Sequence, residues 1–477
     1  MKKRKAWKIV LCVVLVVLVA LGGTVLYLMT GLSPAETVQR QVEADDGVLR
    51  IGILSDLQLT PEGQGETYDM HYQKALELLK AQGVNVILNA GDFTDTATEE
   101  AYQNQKRIFD SVYSEAERES IVLCSIMGNH DYWLPMFVDC WEIPFTRVMQ
   151  SRFCKYTYSQ SPWTHTVVNG YHFIAASPKS GDMDSTSYDD ELLMWMREQI
   201  EAAVADDPAL PVFVMTHFSP ENTVAMSENN TFQNLDALYR EYPQVVSIGA
   251  HSHAPLMDER AIWQGDYTAI NTQSVSYTSL PETENAVVHD DGAFIENNPM
   301  VMVLSVDEAQ LSIRRYSVLT GEAQKAPWVI DLPVDKDEFR YTEARAQTSA
   351  APTWADGFSV LTEGVSFTDD EGAEVRGCRI TFPAALHEDA VQSYRAVFTQ
   401  NGSPVTFTFG ETTYDSLTLI SDYALPAAQR SDTMRFTLPA EKYASVLPAG
   451  TYTVTLYAAD TYGNESAPQT AEIEIAY

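Results

Sequence analysis

The 477-residue sequence predicts an α/β layered domain, with a transmembrane helix before it and an all-β sandwich after it. Three observations predict this. Five basic residues lead into a long uncharged apolar run. From about Val48, short apolar runs alternate with stretches of helical spacing, as strands and helices do when taken in turn. Past about residue 355 the alternation has period two, broken by Pro, Gly and Asn.

The elements follow in order. Lys2, Lys3, Arg4, Lys5 and Lys8 precede residues 9–29, which carry 21 uncharged residues. At about 1.5 Å per residue the run reaches about 31 Å, the hydrocarbon thickness of a bilayer. A cleaved signal has a shorter apolar region and a small-x-small site; this run is longer, and no such site follows it. Cys12 stands too early for a lipoprotein cysteine. The run reads as an uncleaved anchor, with a cleaved signal as the alternative. Basic flanks stay in the cytoplasm, so the body is expected to be extracytoplasmic. Residues 31–47 are a polar spacer, and 48–333 form the α/β domain. Within it, strands are expected at 49–54, 84–88, 121–126, 212–215 and 245–248, and a strand pair at 300–315. Helices are expected at 68–82, around 99–117, and at 190–204, where Leu193, Met196 and Ile200 recur on one face. Residues 334–355, rich in Ala, Thr, Glu and Pro, read as a linker. Residues 356–477, with period-two runs at 405–409 and 451–457, read as the sandwich.

Charge narrows the function. Lys and Arg number 31 against 66 Asp and Glu, a formal net charge of −35. Nucleic-acid polymers are held through Lys and Arg, so none is expected as a partner. The same balance argues against docking of the body onto anionic lipid, and leaves the N-terminal helix as the membrane contact. Five cysteines are too few for a disulfide framework, although Cys140 and Cys154 could pair in an oxidising compartment.

Five short motifs carry chemistry, each at the end of an expected strand: Ser55-Asp56-Leu57-Gln58, Gly91-Asp92-Phe93-Thr94-Asp95, Gly128-Asn129-His130-Asp131, Thr216-His217 and His251-Ser252-His253. Asp, Asn, Gln and neutral His are oxygen and imidazole ligands for hard to borderline divalent metals. Strand ends hold such ligands rigidly. Two ions about 3.5–4 Å apart need a bridging carboxylate, and Asp92, just after Gly91, suits that place.

In order and spacing this set resembles the calcineurin-like metallophosphoesterase superfamily, whose pattern runs D-x-H, G-D-x-x-D, G-N-H-D/E, H, G-H-x-H. The resemblance covers roughly residues 48–320. It implies a four-layer αββα sandwich with a dinuclear site on one edge. Asp56, Gln58, Asp92 and His253 resemble the ligands of the first metal; Asp92, Asn129, His217 and His251 resemble those of the second. His130 matches the acid that protonates the leaving oxygen. Asp131 falls where a carboxylate orients that histidine, and Asp95 also falls outside the direct ligands. The implied reaction is hydrolysis of phosphate esters by a hydroxide held between two divalent ions. Gln58 stands where His is usual, and its harder oxygen leans the site toward manganese, magnesium or iron rather than zinc, with manganese favoured. Ala250 replaces a glycine and is tolerable only if φ there is negative.

The reading is thus a membrane-anchored, extracytoplasmic phosphoesterase with a phosphoester substrate. The alternative is a surface binding protein with a structural metal site and a partner-binding β-sandwich. Against it stands the Asn129-His130-Asp131 motif, because a structural site has no use for a leaving-group acid. The other five histidines, His71, His165, His172, His289 and His387, read as structural or exposed, with His71 nearest the Asp56 loop. The aromatic segment 132–163 reads as core, with a leaving-group wall as its functional alternative. The C-terminal unit resembles a fibronectin type III or immunoglobulin-like sandwich by texture. Its default role is spacing or packing, and it leaves room for an envelope partner.

Overall fold

The computed structural model describes residues 27–44, 46–134, 146–228, 230–281, 283–292, 295–368 and 372–477. Most of the expected span at 9–29 lies outside these residues, as do Phe137, Cys140, Trp141 and Phe145. Among the described residues no helix is long and apolar enough to cross a membrane. Two compact units share the chain: Met1–Ser252, Gln264–Ser276 and Pro299–Arg340 in one, and His253–Trp263, Tyr277–Asn298 and Tyr341–Tyr477 in the other.

The first unit contains two sheets. One has the strand order Ala323–Asp331, Gln310–Ser317, Met300–Val306, Leu49–Leu54, Val86–Asn89, Val122–Ser125. Its last three strands are parallel, with Ile51 opposite Val86 and Val86 opposite Val122. The other sheet places Val38–Arg40, Trp163–Val168, Tyr171–Ala176, Val212–Thr216, Val245–Gly249 and Thr268–Asn271 side by side. From Tyr171–Ala176 onward these strands run parallel. The strands Val86–Asn89, Val212–Thr216 and Val245–Gly249 are buried along their whole length, as parallel strands covered on both faces must be.

Helices cover the outer faces. Glu66–Ala81 buries Tyr72, Ala75, Leu76 and Leu79 on one stripe, with Glu66 and Asp69 at its positive end and Lys80 at its negative end. It seats closely because Gly52 lies beneath it; a Cβ there would stand 2.8 Å from Leu79 Cδ2. Asp190–Asp206 packs against the other sheet through Leu192, Met196, Ile200 and Ala203, and Asp189 caps it by accepting from Leu192 N. The single helix expected around 99–117 is two. Glu99–Val112 ends at Tyr113, and Ser114 opens Glu115–Ser120 with a capping box to Glu117. The cap interrupts a continuous amphipathic pattern, which periodicity alone does not register.

The aromatic segment is largely core. Phe153 and Tyr156, on the helix Thr146–Thr157, join Phe93, Tyr102 and Phe109 in the main cluster. That helix and the hairpin that follows it, Trp163–Val168 with Tyr171–Ala176, are not among the elements expected from the sequence. The hairpin buries His165 and His172, whose rings meet at Nε2 and Nδ1 (2.9 Å), so its inward face does not read as apolar.

The second unit is all-β. One sheet has the order Ala286–Val288, Leu417–Ile420, Val391–Gln400, Gly450–Asp460, Gln469–Ile475; a second joins Leu361–Thr368, Glu374–Pro383 and Thr433–Pro439. Alternate residues from both, among them Phe382, Phe398, Phe436 and Leu456, form one core. The stretch read as a linker is tied into this unit from Tyr341 onward. Arg345 donates to the carbonyls of Glu259 (2.9 Å) and Ile262 (2.6 Å), and Asn464 Nδ2 donates to Ala346 O (2.9 Å). Composition marks such a stretch as polar and does not show that its polar groups have partners.

Candidate metal centre

The parallel strands of both sheets of the first unit deliver their motifs at their C-terminal ends, the ligand-binding edge of α/β folds. Leu49–Leu54 ends at Ser55-Asp56, Val86–Asn89 at Gly91-Asp92, and Val122–Ser125 leads into Gly128-Asn129-His130. Val212–Thr216 ends at His217, and Val245–Gly249 at Ala250-His251.

At this edge the backbone takes an unusual form. Asp56 (φ +50°), Gln58 (+51°), Asp92 (+53°) and His251 (+68°) all adopt left-handed conformations. Such a position costs a non-glycine residue about 1–2 kcal/mol, and several at one edge mark a place where side-chain direction is held against local preference. Ala250 is not among the positive-φ residues, so the methyl that replaces glycine causes no strain. The turn falls on His251 instead.

Asp92 lies at the centre and is buried. Its Oδ1 accepts from His130 N (2.9 Å), and its Oδ2 accepts from Gln58 Nε2 (3.2 Å) and lies 3.4 Å from His217 Nε2. Burial alone would raise this carboxyl. The charges of His217 and His130 outweigh it and hold the group below the usual carboxylate range. The His217 ring is buried too. Burial works to lower it, but the Asp92 charge beside it raises it to about 9. Its Nδ1 faces the Ala90 carbonyl (2.8 Å), while Nε2 faces both Asp92 and Asn129 Oδ1 (2.9 Å). A ring nitrogen fixed by a carbonyl at one end and pointed at two oxygens at the other is the arrangement of an imidazole ligand with its partners.

Among the described residues, Asp92, His217 and His251 have ligand atoms within 4.8 Å of one another. The donors are imidazole, carboxylate and amide oxygen, a set that fits a borderline to hard divalent cation. The backbone leaves no slack around them. A Cβ on Gly128 would lie 2.1 Å from Asp92 Oδ1, and one on Gly91 would lie 2.7 Å from His217 Nδ1.

The remaining expected residues fall as follows. Asp56 is buried, with its Oδ2 accepting from Ser55 Oγ (2.5 Å) and its carbonyl accepting from Ser274 Oγ and Ser276 Oγ (both 2.9 Å). Those serines carry no motif, and nothing in the sequence marks them. Gln58 points its amide at Asp92, and a half-turn of that amide would present its oxygen to the same place. His253 belongs to the second unit, where Nδ1 meets the Tyr277 carbonyl (3.1 Å) and the two rings lie 4.3 Å apart.

The expectation for Asp131 needs correction. It does not hold the His130 ring. It accepts from Phe93 N, Thr94 N, Thr94 Oγ1, Tyr102 Oη and Gly128 N, and so ties two motif loops together. Its short side chain, on the first turn after Asn129, is turned inward by those five donors. Burial and the Asp92 charge raise its carboxyl, and the donors oppose them. The His130 ring is held by Asp95 instead: Nδ1 meets the Asp95 carbonyl at 2.8 Å, with the Asp95 carboxylate at 3.9 Å. The Trp133 ring lies 3.9 Å away, and His130 Nε2 stands 4.0 Å from Asp92 Oδ2. Asp95 is the last residue of the second motif, which was the available signal. That its backbone rather than its side chain makes the closer contact could not be read from the sequence. His71 is structural as expected, its Nδ1 meeting the Val275 carbonyl at 3.2 Å inside the first unit.

Residues 49–255 match the model of the calcineurin-like phosphoesterase family. The chain therefore carries a calcineurin-like phosphoesterase domain and is a metal-dependent phosphoesterase. None of the curated proteins compared matches it. Solved structures similar to it include a dimetal phosphatase from Danio rerio, with 10% identity and a TM-score of 0.39 over 59% of this chain and 98% of that one. A purple acid phosphatase from yellow lupin seeds has 10% identity and a TM-score of 0.38, covering 63% of this chain and 55% of its own. A 5'-nucleotidase precursor from Thermus thermophilus has 11% identity and a TM-score of 0.31, covering 90% of this chain and 89% of its own.

Proposed function

We propose that the chain is a membrane-anchored, extracytoplasmic phosphoesterase with a dinuclear centre. Asp92, Asn129, His217 and His251 hold one divalent ion. The motif order assigns Asp56, Gln58 and His253, with Asp92 shared, to the other. Manganese is favoured by the oxygen-rich donors. The observation that carries the reading is the convergence of Asp92, His217 and His251 beside a histidine that is not needed to complete them, His130. Bound divalent ions supply positive charge for a phosphoryl oxygen and acidify water.

The work of the chain's own residues is positioning and proton transfer. Asp95 accepts the Nδ1 proton of His130, which leaves Nε2 to give its proton to the departing oxygen. The Nδ1 bond to Asp95 survives that transfer, so the ring does not have to turn. His130→Ala should retain metal yet lower kcat about 10²–10⁴-fold for alkyl phosphates. Activated aryl phosphates need less protonation and should lose less. An equal loss across leaving groups would remove His130 from the acid role.

The location rests on the basic cluster before residues 9–29 and its absence just after them. An epitope tag placed after Tyr477 should be reached by antibody on intact cells. Access only after permeabilisation would overturn the orientation.

A further inference from the structure

We infer that Trp133 is a positioning residue for His130: its indole fixes the plane of the imidazole that serves the departing oxygen. The inference rests on the phosphoesterase reading and adds to it a residue outside all five motifs.

A hydrogen bond at Nδ1 holds an imidazole at one point and leaves it free to tilt about that bond. His130 has such a bond, to the Asp95 carbonyl (2.8 Å), and 19% of its side chain is exposed, so the core does not box it in. Trp133 supplies the missing constraint. The two ring centres are 3.9 Å apart, with the planes 42° from each other, which is van der Waals contact. The imidazole cannot tilt toward the indole, and its Nε2 is kept 4.0 Å from Asp92 Oδ2.

The indole is itself held at three points. His130, Asp131 and Tyr132 form one short helical turn, and Trp133 N closes it on the His130 carbonyl (3.1 Å). The Trp133 carbonyl accepts from Ala97 N (2.6 Å), so the loop 95–97 that bonds the imidazole also pins the indole. The third point lies on the loop after the strand Tyr171–Ala176. Tyr132 Oη donates to the Pro178 carbonyl (2.7 Å). Three residues on, a Cβ on Gly181 would lie 2.8 Å from Trp133 Nε1 and 3.1 Å from the Asn129 carbonyl oxygen. Gly181 is not among the positive-φ glycines, so its backbone does not call for glycine; the room taken by Trp133 does. Trp133 also borders the main apolar cluster. Packing alone, however, accounts for neither the contact with His130 nor a loop that gives up its side chain to seat the indole.

In the manganese-loaded protein, Trp133→Leu should lower kcat for ethyl phosphate about 10–100-fold, with KM and metal content nearly unchanged. The loss should be far smaller for para-nitrophenyl phosphate, whose leaving oxygen needs little protonation. Trp133→Phe, which keeps a flat face against His130, should recover most of the activity. In His130→Ala the Trp133→Leu change should cost nothing further, because the group it positions is gone. Gly181→Ala, which must push the indole, should act as a weaker Trp133→Leu and takes its place if that variant misfolds. A crystal structure of Trp133→Leu reads the same point without turnover: the His130 ring should leave its position while Asp92 and His217 keep theirs. An unmoved His130 ring, additive losses in the double variant, or a raised KM with kcat intact would overturn the inference, the last by making Trp133 a wall for the leaving group. A displaced ring in the variant, with a metal-loaded wild type that hydrolyses neither ester, would retain the positioning and overturn the phosphoesterase reading.

Discussion

Asp92→Asn should strip the centre of metal and lower phosphoester hydrolysis by at least about 10³-fold. The change is close to isosteric, so packing is nearly untouched. What it removes is a buried negative charge aimed at His217 Nε2 (3.4 Å) and near His130 Nε2 (4.0 Å). Burial tolerates that charge only because positive groups surround it, and it is the charge that divalent ions would share. Asn also turns one of the two oxygens into a donor. Set against His130 N, a donor repels. Elemental analysis of the purified variant, alongside circular dichroism to show that it is folded, checks the result. A folded variant with full metal content would remove Asp92 from the bridging position.

Ending the chain at Pro333 should unfold the segment 277–298 and open it to protease. Nothing in the sequence points to this, because the sandwich reads as a spacer. In the structure, the segment Tyr277–Asn298 is built into the second unit. Ala286–Val288 is a strand of its sheet, Asn285 Nδ2 donates to Ser416 O (3.1 Å), and Asn298 Nδ2 donates to Ala424 O (2.7 Å). His289 N donates to Ile420 O (2.9 Å), and Asp290 accepts from Arg379 Nε (2.7 Å). Removing residues after Pro333 deletes every one of those partners. Tyr277 and Ser279, which hold His253, then stand on a segment with no sheet to join. Asn285→Ala is the milder version, and it should speed proteolysis of the same segment by a smaller factor. A truncated chain whose segment 277–298 resists protease as it does in the full chain would show that the sheet does not hold it.

The site was more legible in the sequence than the body that carries it. Its residues are read from chemistry: carboxylates, amides and imidazoles placed after short apolar runs and beside glycines do not arise for packing. The strand at 49–54 is placed to the residue because turn residues bound it on both sides. Trp163–Val168 and Tyr171–Ala176 escape such a reading because buried His165 and His172 satisfy each other, and a polar pair facing inward hides the period-two signal. Asp131 is misplaced for a different reason. Adjacency to His130 suggests contact, but its direction is decided by donors from Phe93, Thr94 and Tyr102, 29 to 38 residues away in sequence. The role of Tyr277–Asn298 is hidden for the same reason. Nothing local shows that a strand of three residues will pair with one more than a hundred residues later.

The most direct test is metal dependence measured on one sample of the full chain. The protein is assayed on a panel of phosphoesters as purified, after exhaustive chelation, and after manganese is restored, with metal content determined at each stage. The account predicts about two divalent ions per chain as purified. It also predicts hydrolysis that disappears on chelation and returns with manganese. Full hydrolysis by a chelated protein with no measurable metal would contradict it.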